Sequence, residues 1–158
     1  MFSPADYAYM SHALRLAEKG LYSTAPNPRV GCVLVRNEQI VGSGWHEKAG
    51  QPHAEINALN NARAAARGAT AYVTLEPCGH FGRTPPCVSA LIAAGIANVI
   101  IAMEDPNPIV SGRGKALLEQ SGIAVQTGLL EAEARALNVG FITRMVDKKP
   151  WVRLKTAV

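Results

Sequence analysis

The side chains best suited to chemistry lie between residues 44 and 87. Among them His53, Cys78 and Cys87 are ligand types that bind zinc tetrahedrally. A zinc site with only three protein ligands keeps its fourth position open for water, as catalytic sites do. Glu55 follows His53 by two residues (55 − 53 = 2) and can move protons beside such a metal. These residues predict hydrolytic zinc chemistry, with Glu55 as the acid and base.

The order of these residues resembles the cytidine deaminase superfamily, in which His-x-Glu is followed by Pro-Cys and a second cysteine. Most members have Cys-x-x-Cys, whereas Cys78 and Cys87 are nine positions apart (87 − 78 = 9). This long spacing, with Pro-Asn-Pro-Arg-Val-Gly at 26–31 and Asp-Pro-Asn-Pro at 105–108, resembles one particular family. That family is the deaminase domain of the bifunctional deaminase and reductase of riboflavin biosynthesis, and the match covers nearly the whole chain.

The resemblance implies deamination of 2,5-diamino-6-(5-phosphoribosylamino)pyrimidin-4(3H)-one to the corresponding uracil. It also implies which residues hold this substrate: Asn27, His46, Arg83, Asp105 and Asn107. His80, in the same segment between the cysteines, is a further candidate. Arg83 is the only cation among residues 79–86, so we expect it to contact the phosphate.

Other interpretations of the same residues remain open. A structural zinc site would require a fourth ligand, for which Cys32, His46 and His80 are available. A tRNA or free-nucleoside deaminase is a second possibility, which the long cysteine spacing disfavours. A zinc-stabilised interaction module is a third, which Glu55 and the open fourth position disfavour.

Hydrophobic periodicity predicts alternating helices and strands. In the first half of the chain we expect a helix at 3–19 capped by Ser3, a hairpin at 30–46, a helix from 53 to 67 and a strand at 72–75. A helix capped by Thr84, with Pro85 and Pro86 in its first turn, should follow. The remaining elements that we expect are a strand at 99–103, a helix at 115–120, a strand at 123–127 and a last helix at 129–146. This alternation predicts an α/β fold, a three-layer α/β/α sandwich around a mixed sheet of about five strands, cytidine deaminase-like.

Composition excludes several classes of protein. The chain has 158 residues, 48% of them apolar and 18% charged, which is typical of one folded domain. Without an apolar run of about 20 residues or a signal sequence, we expect a cytoplasmic protein with no membrane partner. The net charge of +4 is spread along the chain, so no nucleic-acid partner is expected. The resemblance implies a homo-oligomer.

The end of the chain has a different pattern. Residues 148–150 read as a linker, and residues 151–158 alternate like a strand. By resemblance we assign 1–147 to the deaminase domain and 148–158 to a linker and the first strand of a missing reductase domain. NADPH would serve only that further domain, so no reductase activity is expected here.

Overall fold

The computed structural model describes residues 1–79, 86–108, 110–154 and 156. A five-stranded mixed sheet in the order β2-β1-β3-β4-β5 forms its centre. The antiparallel pairs are β1–β2 and β1–β3, and the parallel pairs are β3–β4 and β4–β5. The strands are β1 (Gly31–Arg36), β2 (Gln39–Trp45), β3 (Thr70–Leu75), β4 (Asn98–Met103) and β5 (Ala124–Thr127). In the described part of the chain, no helix is long and apolar enough to cross a membrane.

Helices cover both faces of this sheet. They are α1 (Pro4–Glu18), α2 (Ala54–Ala62, continued by a 3-10 turn at Arg63–Ala66), α3 (Cys87–Ala93), α4 (Arg113–Gln120), α5 (Glu131–Leu137) and α6 (Val139–Val146). Alternate strand residues enter two separate cores, as the two-residue period of a strand requires. One core contains Cys32 and Val73 with α2, α3 and α4, and the other contains Val33 and Tyr72 with α1 and α5. The three-layer α/β/α sandwich is therefore confirmed.

Helix α2 lies unusually close to strand β2. A Cβ atom added at Gly42 would overlap the carbonyl oxygen of Ala58, and one added at Gly44 would meet the backbone of the same helix. Glycine is needed at both positions because any side chain would push the helix off the sheet. This contact fixes where the first turn of α2 lies relative to the strand ends.

Most of the predicted elements are present. Helix α1 has Ser3 as its N-cap, in a capping box with Asp6. The prediction for the third helix was wrong in its start: Pro86 is the N-cap and Cys87 the first helical residue. Thr84 and Pro85 lie outside the described residues.

The predicted last helix, 129–146, is in fact two helices separated at Asn138. The Asn138 side chain accepts from the N–H of Arg29 at 2.8 Å and donates to the carbonyl of Arg29 at 2.9 Å. The Asn138 side chain thereby holds the junction of the two helices against a segment 109 residues away, which periodicity alone could not indicate. Residues 151–154 form no strand in this structure. Their assignment to a following domain remains a prediction.

Candidate active site

The candidate site lies where two parallel strands end. Cys78 follows the end of β3 at Leu75, and Asp105 follows the end of β4 at Met103. Because the carboxyl ends of neighbouring parallel strands meet at one edge of the sheet, these residues are brought together. His53 is the N-cap of α2, with an extended backbone, and Cys87 begins α3. Two strand ends and two helix starts thus converge.

His53, Cys78 and Cys87 form a compact group of potential metal ligands. Nδ1 of His53 lies 3.2 Å from Sγ of Cys87 and 3.6 Å from Sγ of Cys78. The three ligand atoms all lie within 4.8 Å of one another. Among the described cysteines none is in a disulfide. The extended backbone of His53 is what allows His53 and Glu55 to approach one point, although residues two apart diverge in a regular helix.

These separations fit a zinc ion. Typical bond lengths are about 2.0–2.1 Å for Zn–N and about 2.3 Å for Zn–S, so tetrahedral ligand atoms lie roughly 3.5–3.8 Å apart. The distances from His53 to both thiols are close to that range. Two thiolates and one imidazole also match the ligand preference of zinc. The donor set and its geometry therefore suit a three-ligand zinc site.

The pKa values of the two thiols are shifted in opposite directions. A hydrogen bond with Cys87 lowers the pKa of Cys78, and the backbone N–H of Cys87 donates to its sulfur at 3.2 Å. The same bond between the thiols, together with burial, raises the pKa of Cys87. The hydrogen bond with Cys78 also raises the pKa of His53. Metal binding at this group therefore requires release of protons.

Glu55 is buried beside this group. Only 3% of its side chain is exposed, and its carboxyl is within hydrogen-bonding range of the Cys87 thiol. Burial raises the pKa of Glu55 to about 7. A carboxyl with this pKa exchanges protons near neutral pH, as a general acid and base must.

A cavity of about 180 Å³ opens onto His53, Glu55 and Cys78. Its other lining residues are Asn27, Pro28, Val30, His46, Leu75, Glu76, Asp105 and Phe141. Three of the predicted substrate-binding residues, Asn27, His46 and Asp105, are thus placed together on the walls of one cavity. The 4%-exposed His46 is edge-on to His53, with ring centroids 5.5 Å apart.

The remaining predicted substrate residues differ in position. Asn107 is not part of the cavity wall, but its N–H donates to the carboxylate of Asp105 at 2.8 Å. His80 and Arg83 lie outside the described residues. The alternative ligand Cys32 lies in β1, fully buried in the core, and is not part of the ligand group.

Glu76 and Phe141 are among the cavity residues that were not predicted from the sequence. Phe141 comes from α6, whose position depends on the break at Asn138, and no sequence signal marks it. Glu76 directly follows β3, and a carboxylate at the carboxyl end of a buried strand was a signal that could have been used.

The chain belongs to a family of deaminases. Residues 3–103 match the cytidine and deoxycytidylate deaminase zinc-binding region. Within this family the chain is 57% identical over 150 residues to the riboflavin biosynthesis protein RibD of Escherichia coli, and the match covers 95% of this chain. It is 56% identical over 140 residues to the diaminohydroxyphosphoribosylamino-pyrimidine deaminase of Buchnera aphidicola subsp. Schizaphis graminum. That match spans 89% of this chain and 95% of the Buchnera protein.

A solved structure of RibD from Acinetobacter baumannii has the same fold. It superposes with a TM-score of 0.88 at 54% identity, and the match covers 89% of this chain and 40% of that chain. The chain likewise spans 41% of the length of the E. coli protein. These longer relatives therefore contain a region to which nothing in the present chain corresponds.

Proposed function

We propose that this chain catalyses the hydrolytic deamination of 2,5-diamino-6-(5-phosphoribosylamino)pyrimidin-4(3H)-one. The products are 5-amino-6-(5-phosphoribosylamino)uracil and ammonia, and one water molecule is consumed. The observation that supports this most directly is the ligand group of His53, Cys78 and Cys87 beside the buried Glu55. Of these four residues, His53, Cys78 and Glu55 line one cavity. The name of the Buchnera relative, which matches along almost all its length, supports the choice of substrate.

We propose that His53, Cys78 and Cys87 hold a zinc ion. When bound there, zinc supplies a Lewis acid that makes water a nucleophile near neutral pH. The chain contributes the geometry of the three donors and a cavity of about 180 Å³ that His53, Glu55 and Cys78 line.

Glu55 moves the protons. Its carboxylate takes a proton from the attacking water and then gives it to the amine that leaves as ammonia. One carboxyl can perform both transfers because the proton gained in the first is the proton lost in the second. A pKa of about 7 places Glu55 between its two forms at neutral pH.

The other groups on the cavity wall hold the pyrimidine. Asn27 and Asp105 offer polar groups to it, and His46 orients Asn27 through Nε2. Val30, Leu75 and Phe141 offer apolar surface to the ring. By resemblance, Arg83 and Asn107 complete the binding set, and His80 is a further candidate. We propose Arg83 at the phosphate because it is the only cation among residues 79–86.

The partner that we propose is therefore a small phosphorylated pyrimidine and not a nucleic acid. Ammonia release from the purified chain should be measured with this pyrimidine, and with cytidine and tRNA as competing substrates. Turnover of the pyrimidine at least about a hundred-fold faster than of the others is expected. A preference for tRNA or cytidine would contradict the proposed substrate. We further propose a homo-oligomer, which light scattering of the same sample would test.

A further inference from the structure

A second carboxylate near the site is as deeply buried as Glu55. Glu76 is 5% exposed, and Glu55 and Glu76 are the acidic side chains in the buried set of the described chain. The Glu76 carboxylate accepts four backbone hydrogen bonds. Oε1 accepts from the N–H of Gly114 at 2.9 Å and of Lys115 at 3.2 Å, and Oε2 accepts from Gly112 at 2.9 Å and Asp105 at 3.1 Å.

These four donors belong to two segments of the chain. Gly112, Gly114 and Lys115 form the start of α4, where backbone N–H groups have no helical partner. Asp105 belongs to the loop after β4. Glu76 therefore joins three chain segments through one side chain, and hydrogen bonds to an ionised acceptor are among the stronger ones in proteins.

The packing around Glu76 leaves little freedom. A Cβ atom added at Gly114 would overlap the carbonyl oxygen of Pro77, so α4 touches the backbone directly beside Cys78. On the other side, Asp105 accepts the N–H of Asn107 at 2.8 Å and lines the cavity. The Glu76 side chain, together with the pairing of β3 and β4, thus holds the loop that carries Asp105 and Asn107 near Cys78.

We propose that Glu76 is a positioning residue for substrate binding, which holds the loop of Asp105 and Asn107 at the cavity. This inference rests on the proposed function, in which that loop contacts the pyrimidine. Glu76 acts through the loop and not on the reacting atoms. Its loss should therefore weaken substrate binding more than it slows the chemical step or weakens metal binding.

The variant Glu76→Gln tests this with little change of shape. An amide accepts with one oxygen only, so in either orientation two of the four N–H donors, Gly112 with Asp105 or Gly114 with Lys115, face its NH2 group and lose their acceptor. Glu104→Gln is the matched control, because Glu104 is exposed and directly precedes Asp105.

Relative to the parent, we expect KM for the pyrimidine to rise at least about ten-fold in Glu76→Gln, with kcat changed by less than about three-fold and zinc content unchanged. Glu104→Gln should resemble the parent. A KM in Glu76→Gln within two-fold of that of the control would overturn the proposal.

A double variant separates positioning from general stability. If Glu76 acts through the loop, Asn107→Ala should raise KM by a much smaller factor in the Glu76→Gln background than in the parent. The same factor in both backgrounds would overturn the proposal that Glu76 acts through the loop. A purely structural Glu76 would lower the melting temperature and leave the KM of the folded enzyme unchanged.

Hydrogen exchange of the parent enzyme provides a test that needs no variant to fold. The amides of Asp105 and Gly112 should exchange at least about ten-fold more slowly than in an unstructured peptide, and more slowly still with the uracil product bound. Exchange at the unstructured rate would overturn the proposal. A parent without pyrimidine turnover would contradict the proposed function, whereas an active parent with an unaffected Glu76→Gln would contradict only the role of Glu76.

Discussion

The side-chain amide nitrogen of Asn27 lies 3.1 Å from Nε2 of His46, whose Nδ1 lies 3.1 Å from the carbonyl oxygen of Pro52. A carbonyl oxygen only accepts, so Nδ1 carries the proton and Nε2 accepts from Asn27. Burial lowers the pKa of His46, which favours this neutral form. The imidazole thereby ties Asn27 to the backbone directly before His53.

Replacement of His46 by phenylalanine should impair substrate binding without loss of metal. The ring is retained but Asn27 loses its partner, so we expect KM to rise about ten-fold because one hydrogen bond that orients a binding group is lost. Steady-state kinetics and metal analysis are the measurements, and His12→Phe on α1 is the control. Loss of zinc from His46→Phe would instead indicate that His46 is a fourth ligand.

Removal of one thiol should abolish tight metal binding. We expect Cys87→Ser to retain much less than one zinc per chain after dialysis, because a three-ligand site depends on each of its donors. Cys32→Ala removes a thiol from the core of β1 and should keep its zinc. Full zinc content in Cys87→Ser would show that the ligand set is wrong.

The variant Glu55→Gln should keep its zinc and its fold but lose turnover. The amide has a similar shape and cannot transfer a proton, so the rate should fall about 10² to 10⁴-fold. Ammonia release and metal content are to be compared with Glu104→Gln, which removes an exposed carboxylate. Activity within a few-fold of the parent would mean that another group moves the proton.

The phosphate of the substrate should be recognised by Arg83. A charge-assisted hydrogen bond of about 1.5–3 kcal/mol corresponds to a ten- to hundred-fold loss of kcat/KM in Arg83→Ala. The loss should occur with the phosphorylated pyrimidine and not with its dephosphorylated form. Arg135→Ala, which removes an exposed arginine paired with Glu131, is the control. Equal losses on both pyrimidines would exclude the phosphate contact.

The stability of the chain should depend on pH through Asp6. Partial burial opposes ionisation of Asp6, but hydrogen bonds from Tyr72 and Ser3 outweigh it and lower its pKa from 3.8. The Tyr72 hydroxyl donates at 2.6 Å. Because the pKa is lower in the folded state, this stabilisation is complete above the unfolded pKa and is lost as the pH falls through the folded pKa.

Thermal unfolding of the parent and Asp6→Asn between pH 3 and pH 6 measures this effect. At pH 6 the parent should have a higher melting temperature than Asp6→Asn, and this difference in melting temperature should shrink as the pH falls below about 4. Asp147→Asn, at an exposed position, is the control and should show no such trend. A constant difference across this range would rule out the ionised carboxylate as the cause.

Much of the fold follows from local patterns. The cap at Ser3 and the apolar runs of β1 and β4 predict their elements because each depends on residues near in sequence. The position of the helix break at Asn138 was not predictable, since the groups that its side chain binds are on the backbone of Arg29, 109 residues away.

The amino-acid sequence by itself determined the kind of chemistry, because imidazole, thiol and carboxyl groups in this order suit zinc and proton transfer wherever the chain places them. Only the tertiary structure decided that His53, Cys78 and Cys87 converge within 4.8 Å. It alone also joins Glu76 to the loop of Asp105. Such distances depend on strand order and on the close packing of helices against the sheet, which are properties of long-range contacts and leave no local pattern in the sequence.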